Sequence, residues 1–438
     1  MSENRGKTRL RWGRRARRSI ATALLTLALV LYIGHLCLTS YVFNALPQPV
    51  MPPLDPVAGV GSLSATQCAA CHPDNAREWA ESRHAVAQTN PVYQADLVAQ
   101  GAPFFCAYCH APLVEQRPQV VDGLSQIWPT VRPAAADNPR FIPALRDEGV
   151  TCVACHQRGG ILLGPRDVAA PHPTGRTPDI STTAACAPCH RFEVGVGMDL
   201  RRPIIDTLAE WATYREQGGT ARCVDCHMPR IVRPVAVGRP PRETRSHRML
   251  GARDVAFLRD HVVPQDPSCG LAGGRIVGQL ALLNKAGHQF PTADPSRRLE
   301  VALESVDAAG HLVEDSVSVM QRYIDLVHYY EPPDRDSSLR PHELRPVSLS
   351  VAHTEAVHGA RLVVRFVLRD PGDPLAKAAG LDPLTLTLPL YSYPCALAGA
   401  EGVGPAAGAS SATSIPSGGP PDAAPGVRPD AATLERPR

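Results

Sequence analysis

The sequence predicts an α plus separate β chain: an N-terminal transmembrane helix, a mostly α and irregular domain, a β-sandwich-like domain and a disordered tail. Three observations predict it. Residues 19–54 contain no Asp, Glu, Lys or Arg. A Cys-x-x-Cys-His unit occurs five times between Cys68 and His227. Beyond residue 270 apolar residues alternate with period two, and from Ala396 on no apolar period survives. The expected divisions are a cytoplasmic basic segment over 1–18, an anchor over 19–46 and a linker over 47–63. A Cys/His-rich domain over 64–265, a β-rich domain over 266–396 and a tail over 397–438 follow.

The first 18 residues carry Arg5, Lys7, Arg9, Arg11, Arg14, Arg15, Arg17 and Arg18 against Glu3 alone. Ile20 to Phe43 is predominantly apolar. As a helix it would span about 36 Å, enough for a bilayer of about 30 Å. The basic cluster then stays in the cytoplasm and the rest lies outside. A cleaved signal peptide is the rival, but its apolar core is shorter and ends in a small-x-small site. Phe43-Asn44-Ala45 is a poor site of that kind, and Gly34-His35-Leu36-Cys37 does not look like a lipoprotein box. His35 reads as a tolerated polar residue. Pro47 to Pro56 is a Pro-rich, extended spacer. The net charge of +3 implies no nucleic-acid partner.

The five units are Cys68-Ala-Ala-Cys71-His72, Cys106-Ala-Tyr-Cys109-His110, Cys152-Val-Ala-Cys155-His156, Cys186-Ala-Pro-Cys189-His190 and Cys223-Val-Asp-Cys226-His227. Two thiols so spaced add to the vinyl groups of one haem, and the adjoining His ligates its iron. Zinc sites use Cys-x-x-Cys pairs two by two, which leaves a remainder here and no reason for the His. A disulfide ladder has no use for the His either. Chance placement of five such His is on the order of 10⁻⁷. The units therefore predict five covalently attached c-type haems (heme c) and a multihaem cytochrome domain. About 160 residues house them, so the haems form most of its core. The 5% aromatic content agrees with that. Haem attachment of this kind occurs on the outer side of the bacterial inner membrane. The expectation is a single-pass inner-membrane protein with haem and β-rich domains in the periplasm.

Within the haem domain, Asn75–Asn90 and Ile204–Glu216 are candidate helices with a shared Glu-Trp pattern at Glu78-Trp79 and Glu210-Trp211. In the β-rich domain, Leu299–Val306, Arg361–Arg369 and Leu384–Leu390 alternate as strands. Cys269 and Cys395 bracket that domain and either pair as a disulfide, which an oxidising compartment allows, or stay as two free thiols.

Each iron has a second axial position, and what fills it decides function. The chain has 16 His, so eleven lie outside the units. Four sit in favourable contexts: His84 after the first unit, His172 in the loop after the third, His247 after the fifth and His288 at the start of the β-rich domain. His261 is the next candidate. Met228 adjoins His227 and cannot reach the far face of the same iron. His311, His328, His342, His353 and His358 read as ordinary polar residues. Four candidates serve five irons; the fifth takes His261 or stays open.

The chain resembles the cytochrome c554 family of multihaem cytochromes, and more distantly pentahaem nitrite reductase and hydroxylamine oxidoreductase. The resemblance rests on Cys68-Ala-Ala-Cys-His-Pro followed by Trp79-x-x-Ser82-x-His84, on Gly149-Val-Thr-Cys-Val-Ala-Cys-His156, and on Glu210-Trp211 leading into Cys223-Val-Asp-Cys-His-Met-Pro229. Ser246-His247 and Gly287-His-x-Phe-Pro-Thr292 also recur in such proteins. It covers residues 64–295 and implies closely packed haems with His84, His172, His247 and His288 as distal ligands. Cytochrome c554 has four haems, and nitrite reductases carry a unit ending in Lys, which is absent here. The expected function is electron transfer between redox partner proteins of unknown identity, with no catalytic residue assigned. The alternative is an oxidoreductase of a small nitrogen or sulfur compound at one five-coordinate haem. A third reading makes the β-rich domain a docking module. Arg201-Arg202 and Arg297-Arg298 are candidate partners of haem propionates.

Overall fold

The computed structural model describes residues 14–45, 48–99, 104–126, 132–192, 205–322 and 335–397. The expected tail from Ala398, Arg201, Arg202, Ile204, His328 and most of the basic segment lie outside these. Arg14–Ala45 is one helix, and its Ser19–Ser40 stretch has a mean hydropathy of 2.1 and no surface buried against protein. It is long and apolar enough to cross a membrane.

The described residues between 48 and 261 form short helices joined by turns and small hairpins. The expected Asn75–Asn90 helix is instead Pro73–Ala80. Its Glu81 and Ser82 amides close the last turn on Arg77 and Trp79. The chain then opens so that His84 O can accept from Val150 N at 2.9 Å. Gly149, at φ +59°, packs so tightly there that a Cβ would lie 2.3 Å from His84 O. The second expected helix begins at Thr207, where the Asp206 side chain accepts from Ala209 N. Among the hairpins not anticipated are Gln119–Gln126 with Arg132–Asp137 and Arg230–Pro234 with Pro241–Arg245.

The β-rich domain is a two-sheet antiparallel sandwich that starts at Val262, slightly before the expected 266. Its strands are β1 (Val262–Ala272), β2 (Arg275–Asn284), β3 (Arg298–Val306), β4 (Leu312–Gln321), β5 (Leu344–Ala352), β6 (Gly359–Val367) and β7 (Thr387–Pro394). One sheet runs β1-β2-β5 and the other β4-β3-β6-β7. The Leu384–Leu390 strand is shortened at its start because Asp382 and Pro383 open a helical turn over Pro383–Leu386.

Ile276, Leu280 and Leu282 of β2 face Leu299, Val301, Leu303, Leu362, Val364 and Phe366 across the sandwich. Gly278 lets the sheets approach, since a Cβ there would meet Leu362 at 3.0 Å and Leu303 at 3.2 Å. The outer face of β3 and β6 buries Glu300 and Glu304, which share Arg365 at 2.6 Å each. A disulfide joins Cys269 of β1 to Cys395 just after β7, tying one sheet to the other.

Twenty buried residues make the sandwich core, whereas the cluster in the Cys/His-rich region has six, Met51, Leu54, Leu113, Leu145, Val153 and Ala154. So small a cluster among the described residues does not by itself hold some two hundred residues together.

Candidate cofactor-binding site

Each Cys-x-x-Cys-His unit is one helical turn. Cys152–His156 and Cys223–His227 are whole short helices; Ala107–His110 and Ala187–His190 begin one residue after the first Cys. In the first and fourth units the His amide closes on the first Cys carbonyl, His72 on Cys68 at 2.8 Å and His190 on Cys186 at 3.0 Å. Residues three and four apart share a helix face. The two sulfurs and the imidazole of a unit therefore project to the same side.

Backbone carbonyls orient the rings. Nδ1 donates to Val235 O from His72 (2.6 Å), to Ala87 O from His110 (2.9 Å), to Leu163 O from His156 (2.8 Å) and to Leu250 O from His227 (2.6 Å). His247 donates likewise to Arg245 O at 3.1 Å and His288 to Gln289 O at 2.7 Å. A carbonyl only accepts, so the hydrogen sits on Nδ1 and the Nε2 lone pair is left for a metal. Burial pushes His84, His190, His247 and His288 down to about 4, which keeps them neutral.

Three pairs of rings are brought together from distant parts of the chain. The ring centres of His156 and His247 are 6.2 Å apart at 24°, and those of His227 and His288 6.2 Å at 11°. His84 and His190 are 6.4 Å apart at 71°. Two imidazoles across one iron need about 2 Å of metal–nitrogen bond on each side, plus about 1.1 Å from nitrogen to ring centre. The sum is about 6.2 Å, so the donor set fits a six-coordinate haem iron.

His172 makes no ring contact with His72; the nearest link runs through Ala169, three residues before His172. The turn after Arg230–Pro234 holds the first unit and the Ala169 segment: Val235 O receives His72, Val237 N donates to Cys71 O, and Arg239 donates to Ala169 O at 3.2 Å. His110 differs. Tyr93 lies flat on it, 3.7 Å between centres at 7°, and among the described residues no imidazole makes ring contact with it. His261 donates to Phe257 O, and Phe257 packs on His227, where His288 already stands. His261 is therefore beside the fifth unit.

Sulfurs of different units also meet. Cys68 lies near Cys152, Cys109 near Cys189, Cys186 near Cys223 and Cys155 near Cys189. The fourth unit thus adjoins the second, third and fifth. Sequence reasoning missed these contacts and Tyr93, because nothing local signals them.

Among the links that tie the sandwich to this region, two involve buried charged side chains. Glu210 accepts from Gln289 N at 3.2 Å and from the Thr292 hydroxyl at 2.6 Å, bracing the His288 segment. Burial pushes its carboxyl up to about 7. Arg369, buried, bridges Asp96 and Asp373. Of the four expected propionate partners, Arg201 and Arg202 lie outside the described residues; Arg298 is already paired with Glu300 and Asp370, whereas Arg297 has no acidic partner among the described residues.

No protein-family model matches the chain, and no curated protein matches it. Among solved structures it is similar to a penta-heme cytochrome c552 from Thermochromatium tepidum, with 20% identity and a TM-score of 0.53. The likeness covers 76% of this chain and 98% of that one. It supports the fold of a multihaem c-type cytochrome and does not single out the cytochrome c554 family.

Proposed function

We propose that the chain is a membrane-anchored, periplasmic cytochrome that carries electrons through five covalently bound haems. The observation that carries this is the 6.2–6.4 Å spacing of three imidazole pairs, each with one member from a Cys-x-x-Cys-His unit. Haem bound there supplies one-electron Fe(III)/Fe(II) chemistry. Cys68, Cys71, Cys106, Cys109, Cys152, Cys155, Cys186, Cys189, Cys223 and Cys226 hold it covalently. His72, His110, His156, His190 and His227 of the units, and His84, His172, His247 and His288 from elsewhere in the chain, would supply the nitrogen ligands to iron. The contacts between units keep the donor sets close, which is what electron hopping requires. The helix over Ser19–Ser40 serves as a single-pass inner-membrane anchor.

One observation favours a second reading. His110 meets Tyr93 and, among the described residues, no second imidazole. A haem there would keep an open position and reduce or oxidise a small nitrogen or sulfur compound. Carbon monoxide added to the reduced full-length protein tests both. A spectral shift worth one haem in five supports an open iron at His110. No shift leaves electron transfer alone, and a shift of several haems contradicts the paired imidazoles.

A further inference from the structure

The chain holds the dipeptide Glu-Trp twice, at Glu78-Trp79 and Glu210-Trp211, on the helices Pro73–Ala80 and Thr207–Glu216. Adjacent helical residues point about 100° apart, so one helix can grip two separate segments. Both pairs are used in the same way. Trp79 Nε1 donates to Val150 O at 2.8 Å, and Trp211 Nε1 donates to Ala221 O at 2.9 Å. Val150 stands two residues before Cys152, and Ala221 two residues before Cys223. Each indole therefore holds the start of a Cys-x-x-Cys-His turn. Each carboxylate holds the segment of the facing histidine. Glu78 accepts from the His247 amide at 2.6 Å and is itself gripped by Arg233 at 2.7 and 2.8 Å. Glu210 accepts from the Gln289 amide, next to His288, and from the Thr292 hydroxyl. His247 is the histidine that faces His156 of the third unit, and His288 the one that faces His227 of the fifth.

The ring planes follow the same division. The two pairs held in this way lie near-parallel, at 24° and 11°, whereas His84 and His190 stand at 71°. A fixed backbone fixes the ring, because His247 donates to Arg245 O and His288 to Gln289 O.

On the haem reading above, we propose that Glu78-Trp79 and Glu210-Trp211 are two copies of one positioning clamp. Each fixes both axial imidazoles of one haem in near-parallel planes. Each imidazole plane splits two d orbitals of ferric iron along one direction. Parallel planes reinforce that splitting and give a rhombic low-spin resonance. Perpendicular planes cancel it and give a resonance at large g. The third and fifth units therefore carry rhombic haems, and the fourth a large-g haem.

The test is paramagnetic resonance of the oxidised, full-length, haem-loaded protein in detergent, read alongside intact mass. Glu78→Ala should abolish one rhombic signal and Glu210→Ala a different one. The large-g signal should stay, with five haems attached. Trp211→Phe keeps a ring but loses the N–H, and should act on the same signal as Glu210→Ala. Glu210→Gln keeps an acceptor oxygen and should retain that signal. Unchanged spectra in both Ala variants would overturn the clamps, as would a wild type with no rhombic signal. So would loss of the same signal in both Ala variants, or its loss in Glu210→Gln. A change in every signal at once marks general loosening and overturns them too. A mass without haem would sink the haem reading instead.

Discussion

Glu210→Gln should flatten a pH dependence that the wild-type chain shows. Glu210 is buried, and its carboxyl stands at about 7 against an ordinary 4.5. Between those values the folded state holds a proton that the unfolded state has released. Stability therefore falls as pH rises through this window. The stabilising difference is fully present below 4.5 and lost above about 7. About 2.5 pK units at 1.36 kcal/mol each give about 3 kcal/mol. Gln keeps an oxygen to accept from Gln289 N and Thr292, and it carries no charge at any pH. Urea unfolding of both proteins, followed by circular dichroism from pH 4.5 to 8, reads the difference directly. The Gln variant should gain about 3 kcal/mol on wild type across that range. Parallel stability curves would refute the claim that this carboxylate is buried against its preference.

Cys269→Ala with Cys395→Ala removes a cross-link between residues 126 apart, which the loop-entropy model values at about 5 kcal/mol; the urea midpoint of the sandwich should fall, and an unchanged midpoint would contradict the pairing. Arg369→Met strands Asp96 and Asp373 and should cost about 3 kcal/mol. Asp96 shares the Pro91–Ala99 helix with Tyr93, so the paramagnetic resonance signal of the His110 haem should change with it. His288→Ala should open one further iron to carbon monoxide while leaving five haems attached by mass.

The Cys-x-x-Cys-His units were legible because attachment chemistry demands sulfurs and imidazole at positions i, i+3 and i+4, and a helical turn delivers them. The second histidines were legible from local context, but their partners were not. His84 meets His190 and His227 meets His288 through long-range topology that no local spacing encodes. In the sandwich, β3, β6 and part of β7 showed clean alternation. In β1, Pro264, Pro267 and a register shift between Gln265 and Ser268 break the period. At the exposed edge, β4 mixes Val313 and Val317 with Glu314 and Asp315. The helix after His72 was overextended because nothing in Glu81 to Asn90 announces that His84 must leave the helix to meet Gly149 and Val150.

The central claim is that five Cys-x-x-Cys-His turns hold five haems covalently. Intact-mass measurement of the exported, matured chain tests it most directly. The account predicts the polypeptide plus five haems, retained after denaturation. A chain at bare polypeptide mass, matured in a host that attaches haem to other cytochromes, would contradict it.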